Sequence, residues 1–226
     1  MKSVREVIAS TMQAHTKIKV FFGFDKIDEI KRMNKAKEPF VYMDHAYFKR
    51  GYHYENYRVC WCDVHQRTLL DVPGDRKEKF GIAGKLRDWK QGDKVILIPA
   101  APNPESFYQE SGWTDRTRQT LSRFTDREIV VKHKGDGNLR EHLLKAWCVV
   151  SHSSVAGVEA ATWGVPVFGP DTSPATPVGL QDLSKLEQPI FPDREQWIRT
   201  LTYSQFHISE MKSGEAWDIF RNLHGA

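Results

Sequence analysis

The chain has 226 residues, 40% of them hydrophobic and 27% charged, with a formal net charge of +4. That length fits one large domain or two small ones, and that balance fits a soluble globular protein; the mild basicity does not by itself identify a nucleic-acid binder. No apolar run approaches the roughly 20 residues of a membrane helix, and residues 1–8 (MKSVREVI) lack the apolar stretch of a signal peptide, so no membrane association and a cytoplasmic location are expected.

Residues 17–22 (KIKVFF) run apolar into Gly23 and predict a first strand. Asp25 is the expected N-cap of a helix to about Lys35, with Ile27, Ile30 and Met33 at helical spacing. Residues 40–43 (FVYM) predict a second strand that stops at Asp44, and this rhythm predicts a parallel α/β layer. A loop dense in aromatics and charge spans residues 46–56. Residues 57–64 (YRVCWCDV) then alternate and predict a third strand. Its Cys60 and Cys62, with Cys148, make an odd count that argues against a disulfide framework. A metal pair at Cys60 and Cys62 would have only His65 nearby, and half-buried strand cysteines are the plainer reading. Pro73-Gly74 marks a turn. Residues 94–99 (KVILIP) predict a buried strand, and residues 100–104 (AAPNP) a stiff, exposed crossover between lobes.

A second α/β series follows. Helices are predicted at 114–124, with Leu121 and Phe124 inward, and at 139–145, 155–163, 181–186, 193–201 and 214–223. Strands are predicted at 127–132, 146–150 and 165–168. The expected fold is therefore α/β: two small Rossmann-like lobes with a cleft between them, residues 1–99 and 100–226, the last helix being a candidate to pack back on the first lobe. The seven tryptophans read mainly as core.

Open α/β sheets bind ligands at the carboxyl ends of their strands. Three polar clusters fall at such ends: Asp44, Lys132 to Lys134, and Ser151 to Ser154. The third lies in residues 147–169 (WCVVSHSSVAGVEAATWGVPVFG), which read as a buried strand, a small polar turn, a helix with one acid, a Gly-x-Pro break and a short strand. Backbone amides at that helix start suit an anion such as a diphosphate, although Ser153 and Ser154 read equally well as a helix cap.

Residues 146–169 resemble the donor-binding half of two-lobed (GT-B) glycosyltransferases, nearest to the capsule-polysaccharide and related bacterial and phage groups. Ser151-His152-Ser153-Ser154, Glu159-Ala160 and Gly164-Val165-Pro166-Val167 carry the resemblance, with the basic strand end Lys132-His133-Lys134 before them. Residues 41–48 (VYMDHAYF) and the Asp75-Arg76 turn also look like phage-type members. The resemblance implies a compact GT-B-like fold and a nucleotide-sugar donor, UDP-linked by expectation, which is a substrate and leaves no cofactor to be held. A phage-encoded member would work in the host cytoplasm. Lys132, Lys134 and His152 would supply positive charge at the diphosphate, and Ser153 and Ser154 hydrogen bonds. Glu159 would take the ribose hydroxyls, since a carboxylate accepts two at once.

Transfer to a hydroxyl needs a general base. Asp44 is the first choice, with His45 as the alternative or as a partner that orients it. There is no Asp-x-Asp element in a suitable context; Asp25 with Asp28 and Asp126 with Glu128 read as ordinary helix or turn acids, so no metal site is expected. Thr172, Ser173 and Thr176, in a proline-stiffened loop, are further hydroxyls for the phosphates. For the acceptor, a hydroxymethylated pyrimidine in phage DNA is one class. Tyr47, Lys49, Arg50 and Arg76 would serve it, in a loop running on through Tyr52-His53-Tyr54, with cations on phosphates, tyrosine on a base, and the base flipped from its duplex. A surface glycan or lipid-linked sugar is the other class. A nucleotide-sugar epimerase and a non-catalytic binding protein would share the donor features.

Overall fold

The computed structural model describes residues 3–225. In chain order the elements begin α1 (Val4–Gln13), β1 (Lys19–Phe22), α2 (Ile27–Ala36), β2 (Phe40–His45), β3 (Asn56–Trp61) and α3 (Arg76–Lys79). They continue β4 (Lys94–Ile98), α4 (Pro102–Tyr108), α5 (Trp113–Leu121), β5 (Ile129–Val131), α6 (Leu139–Leu143), β6 (Ala146–Ser151), α7 (Val155–Thr162) and β7 (Val167–Phe168). They end α8 (Glu195–Tyr203), β8 (Gln205–His207), α9 (Ile208–Ser213) and α10 (Glu215–His224). The fold is mixed α/β with two four-stranded sheets. No helix among the described residues is long and apolar enough to cross a membrane.

The chain divides into two compact units. One holds Met1–Ala83 and Glu195–Ala226; the other is the continuous stretch Gly84–Arg194. The division therefore does not fall at residues 99–104. The strand at 94–98 belongs to the second unit, and the proline-rich run begins a helix, Pro102 standing at its first turn where a missing N–H costs nothing. More than the last helix returns to the first unit, since β8 joins its sheet.

In the first unit the strand order is β1-β2-β3-β8. The β1–β2 pair is parallel, while β2–β3 and β3–β8 are antiparallel. The sheet is thus mixed, and the expected all-parallel layer stops after two strands. Ile8 and Met12 of α1, Met211 of α9, and Trp217 and Phe220 of α10 form one core with Phe22, Val41, Met43, Val59 and Phe206 of the sheet. Helix α1 starts with a capping box: Ser3 Oγ accepts from the Glu6 N–H, and the Glu6 carboxylate accepts from the Ser3 N–H. Asp25 does not cap α2; it pairs with Arg5 at 2.5 Å, and Lys26 takes the cap position without a side-chain bond.

A buried ion pair fastens the returning segment. Arg76 Nη1 donates to Glu210 Oε1 at 2.8 Å, Nε to the Thr202 carbonyl at 3.1 Å and Nη2 to the Gln205 carbonyl at 3.0 Å. Its guanidinium lies 4.9 to 5.4 Å from the ring centres of Phe80, Tyr203 and Phe206. Lys79 reaches the same Glu210 oxygen at 2.7 Å. Arg76 is therefore a core residue, which corrects its expected place among acceptor contacts.

In the second unit the order is β5-β4-β6-β7, all parallel. Its central strands read as unbroken apolar runs because both faces are covered. Val95, Leu97, Cys148 and Val150 pack with Trp113 and Leu121 of α5 and with Phe168. The expected helix at 181–186 is only a 3-10 turn, Leu183–Lys185. Phe124, expected inward, lies past the end of α5 and is 41% exposed.

Replacing Arg76 with Ala leaves Glu210 buried without its main counter-charge and is expected to cost about 3–5 kcal/mol in urea denaturation. Arg76→Lys recovers little, because one ammonium does not match the three directed bonds. Burial pushes the Glu210 carboxyl up, but Arg76, Lys79 and the His207 N–H outweigh it and hold it below the ordinary value. A lowered folded value gives stability that is present above the unfolded value of about 4.3 and is lost as pH falls through the folded one. Glu210→Gln should flatten that acidic limb.

Candidate functional site

In the second unit the chain runs from β4 outward to β5, then returns to the other side of β4 to form β6. The strand order reverses there, and the carboxyl ends of β4 and β6 lie side by side, Ile98 opposite Ser151. Such a switch point is where an open parallel sheet leaves a crevice for a ligand. The turn Ser151 to Ser154 and the start of α7 stand at it. Ser154 is the N-cap, its Oγ accepting from the Ala156 N–H at 3.1 Å.

His152 is fully buried. Its Nδ1 lies 3.0 Å from Ser153 Oγ, and its ring meets Tyr108 and Trp113 edge-on at 5.7 and 5.2 Å. Nε2 is 3.3 Å from a Glu110 oxygen, outside hydrogen-bond alignment. Burial holds His152 below its ordinary pKa although Glu110 pulls it upward. At neutral pH it is an uncharged imidazole, so it does not supply the positive charge expected of it at a diphosphate.

The floor of this corner is tight. A Cβ on Gly157 would stand 2.9 Å from Ser151 Oγ, and one on Gly169 only 2.1 Å from the Ser151 carbonyl oxygen. The hydroxyls of the 170–177 loop serve the loop itself and the His152 turn beside it. Thr172 Oγ1 donates to the His152 carbonyl at 3.0 Å, Thr176 Oγ1 to the carbonyls of Pro170 and Ser173, and Ser173 Oγ accepts from the Ala175 N–H. They are not turned toward a phosphate.

Lys132 folds back on its own strand end, Nζ donating to the His133 carbonyl at 2.7 Å, and is buried. Lys134 is exposed. Glu159, one turn into α7, is 28% exposed at its side chain and lies 3.7 Å from Arg140 Nε of α6. One turn further along, Trp163 carries Arg87 and Arg140 over its ring at 3.6 and 5.1 Å. Glu159 thus faces an arginine-rich side rather than bulk water.

No protein-family model and no curated protein matches the chain.

In the first unit β2 runs on through Asp44 and His45, whose side chains leave opposite faces of the strand. Asp44 sits directly across from Arg58 on β3. Arg58 Nη2 donates to Asp44 Oδ2 at 2.9 Å, the Tyr42 hydroxyl donates at 3.1 Å, and the His45 N–H donates to Oδ1 at 2.7 Å. Burial raises the Asp44 carboxyl, but the Arg58 charge and these bonds outweigh it and leave it below the usual carboxylate range. A carboxylate so held is a weak base. Its alternation with His45 also prevents the two side chains from forming the expected dyad.

His45 is the better placed group. Its ring meets Tyr52 at 4.7 Å and Phe22 at 6.2 Å, both edge-on, and its Nδ1 is buried without a hydrogen-bond partner. Burial holds its pKa below the ordinary histidine value, helped by Arg58, Arg50 and Arg5 and opposed by Asp44. It is neutral at pH 7.

Tyr47, expected at the acceptor, is buried. Its N–H donates to Gln205 Oε1 at 2.9 Å, and its hydroxyl accepts from the Gln66 N–H at 2.9 Å. Lys49 is exposed, with Nζ donating to the Lys79 carbonyl at 3.1 Å, and Arg50 is exposed. Beyond them Tyr52–Tyr54 forms one 3-10 turn, and Tyr52 and Tyr54 are each 46% exposed. Cys60 is buried, and burial pushes its thiol up to about 12, a poor state for a metal ligand. Among the described residues no cluster of three or more His, Cys, Asp or Glu is arranged for a metal.

Sequence reading passed over Arg58, Gln205, Glu110 and Trp113. Arg58 alone left a signal, a charged residue at an inward position of an alternating strand. Asp44→Asn leaves Arg58 buried opposite a neutral group and should lower stability by about 3 kcal/mol in chemical denaturation. His45→Gln, which removes no counter-charge, should leave the unfolding midpoint nearly unchanged.

Proposed function

We propose that the chain is a nucleotide-sugar-dependent glycosyltransferase of the two-lobed GT-B kind, its second unit holding the donor and its first the acceptor. The reading rests chiefly on the reversal of strand order between β4 and β6, with a capped helix and Glu159 placed at the carboxyl ends of those strands. The donor diphosphate lies over the start of α7, with Lys134 adding charge, and Glu159 takes the ribose hydroxyls. Arg140 stands 3.7 Å from one Glu159 oxygen, and the other is left for the sugar.

In the reaction the acceptor hydroxyl gives its proton to His45, and its oxygen forms a bond to the anomeric carbon. The bond from that carbon to the diphosphate oxygen breaks, and the nucleoside diphosphate leaves with the electron pair. Negative charge grows on the leaving group, where fixed amides and a lysine stabilise it. His45 suits the base role because its imidazole is neutral at pH 7 and so can take a proton.

A thermal-shift screen of UDP-, GDP- and dTDP-sugars tests the donor assignment. A true donor at about 100 times its Kd adds about 2.7 kcal/mol of stability, and Glu159→Ala should abolish the shift. If no nucleotide sugar moves the transition, the reading fails. His45→Gln should keep the shift and slow transfer by about 10²- to 10⁴-fold. A base works deprotonated, so the wild-type rate should stay level at neutral pH and fall on acidification below about 6.5, the ordinary histidine value, as His45 takes a proton. His45→Gln should lose that acidic limb.

A further inference from the structure

We infer that the first unit binds a small organic carboxylate with an apolar body, in the cavity between α1 and the outer edge of β1. The inference does not depend on the nucleotide-sugar reading. Size is the first argument. The cavity holds about 510 Å³, within the range of small-molecule sites and far more than a bare inorganic anion fills. Its apolar lining comes from Ala9 on the helix and from Val20 and Phe22 on the strand. Phe22 is also a neighbour of His45, the ring centres lying 6.2 Å apart.

The strand edge is the second argument. β1 is the outermost strand of its sheet, so alternate backbone groups face outward instead of toward a neighbouring strand. Gln13 of α1 answers two of them: its Oε1 accepts from the Val20 N–H and its Nε2 donates to the Ile18 carbonyl, both at 3.0 Å. The Gly23 N–H points the opposite way, to the Met43 carbonyl of β2 at 2.8 Å. By that alternation the Phe22 N–H points as that of Val20 does, into the cavity, two residues past the one Gln13 serves. Charge is the third argument. Arg5 and Lys26 line the cavity with Phe22, and Arg5 stands beside the Tyr52 hydroxyl. Arg5 pairs with Asp25 at 2.5 Å, but these side chains are 47% and 51% exposed, so the pair is weak and yields readily. The Glu6 carboxylate accepts from the Ser3 N–H, and Glu29 pairs with Lys19. Lys26 is exposed and takes no part in these pairs. Guanidinium, ammonium and a backbone N–H at one end of an apolar cavity are the pattern that holds a carboxylate head. Through Arg5 the head is linked to Tyr52, whose ring meets His45 edge-on at 4.7 Å.

Titration of the full, nitrogen-15-labelled chain with acetate, hexanoate and 3-phenylpropionate, followed through its amide NMR shifts, tests this. Affinity should rise about tenfold or more from acetate to 3-phenylpropionate as apolar surface is buried, with the Phe22 amide among those that move. The neutral 3-phenylpropionamide should bind about 10- to 100-fold more weakly than the acid, the worth of a charge-assisted hydrogen bond. Arg5→Gln should weaken the acid by the same factor. Ser10→Trp, made at an exposed position of α1, should fill the cavity and abolish binding. The amide spectrum of each variant reports whether it is folded. The inference is overturned if no carboxylate of the series gives a saturable shift within residues 3–26, if the amide binds as well as the acid, or if either folded variant binds as wild type. Nucleotide sugars that leave the unfolding transition unmoved would end the glycosyltransferase reading and leave these outcomes untouched.

Discussion

Arg76 joins two stretches of chain that lie more than a hundred residues apart, and the candidate acceptor site hangs from it. Its three donated bonds fix Thr202, Gln205 and Glu210, and so place β8 against β3. Gln205 on that strand then accepts from the N–H groups of Tyr47 and Phe48. Those residues follow directly after His45 and lead into the turn of Tyr52 and Tyr54. A buried guanidinium, satisfied on every side, therefore sets the path of the loop proposed to face the acceptor. Such a residue is conspicuous in sequence only as a charge, and its role is set by partners far along the chain.

Asp44 and His45 show how one strand separates two tasks. Successive side chains leave a strand on opposite faces. Asp44 enters the side occupied by Tyr42 and Arg58 and becomes part of a cross-strand ion pair. His45 enters the side of Phe22 and Tyr57 and keeps a neutral ring with an unpartnered nitrogen. The same alternation that makes the strand readable assigns the acid to the scaffold and leaves the imidazole outside that ion pair.

What was legible in the sequence follows from locality. The second unit's strands announced themselves because a parallel sheet covered on both faces is built from continuous apolar runs, as at Val95 to Leu97 and Cys148 to Val150. The turn before α7 was legible because a cap needs only a residue two positions away. The first unit was harder. Strand β8 has three residues and no pattern of its own, and the antiparallel course of β3 depends on pairing rather than composition. Tyr47 looked like a surface aromatic because its partners, Gln66 and Gln205, are remote. His152 looked like a cation because burial under Tyr108 and Trp113 is not written beside it. The capping box at Ser3 and Glu6 was local and readable, and marks α1 plainly in retrospect.

The insertion of Gly84–Arg194 into the first unit has a consequence for how the protein is made. The parallel unit is one unbroken piece, so its whole sequence leaves the ribosome before the other unit has received its final strand. Until Gln205 to His207 emerge, one edge of β3 has no neighbour and the Arg76 guanidinium has no acid to meet. The first unit to be started is the last to be finished, and during that interval its open edge is the surface on which nascent chains would associate.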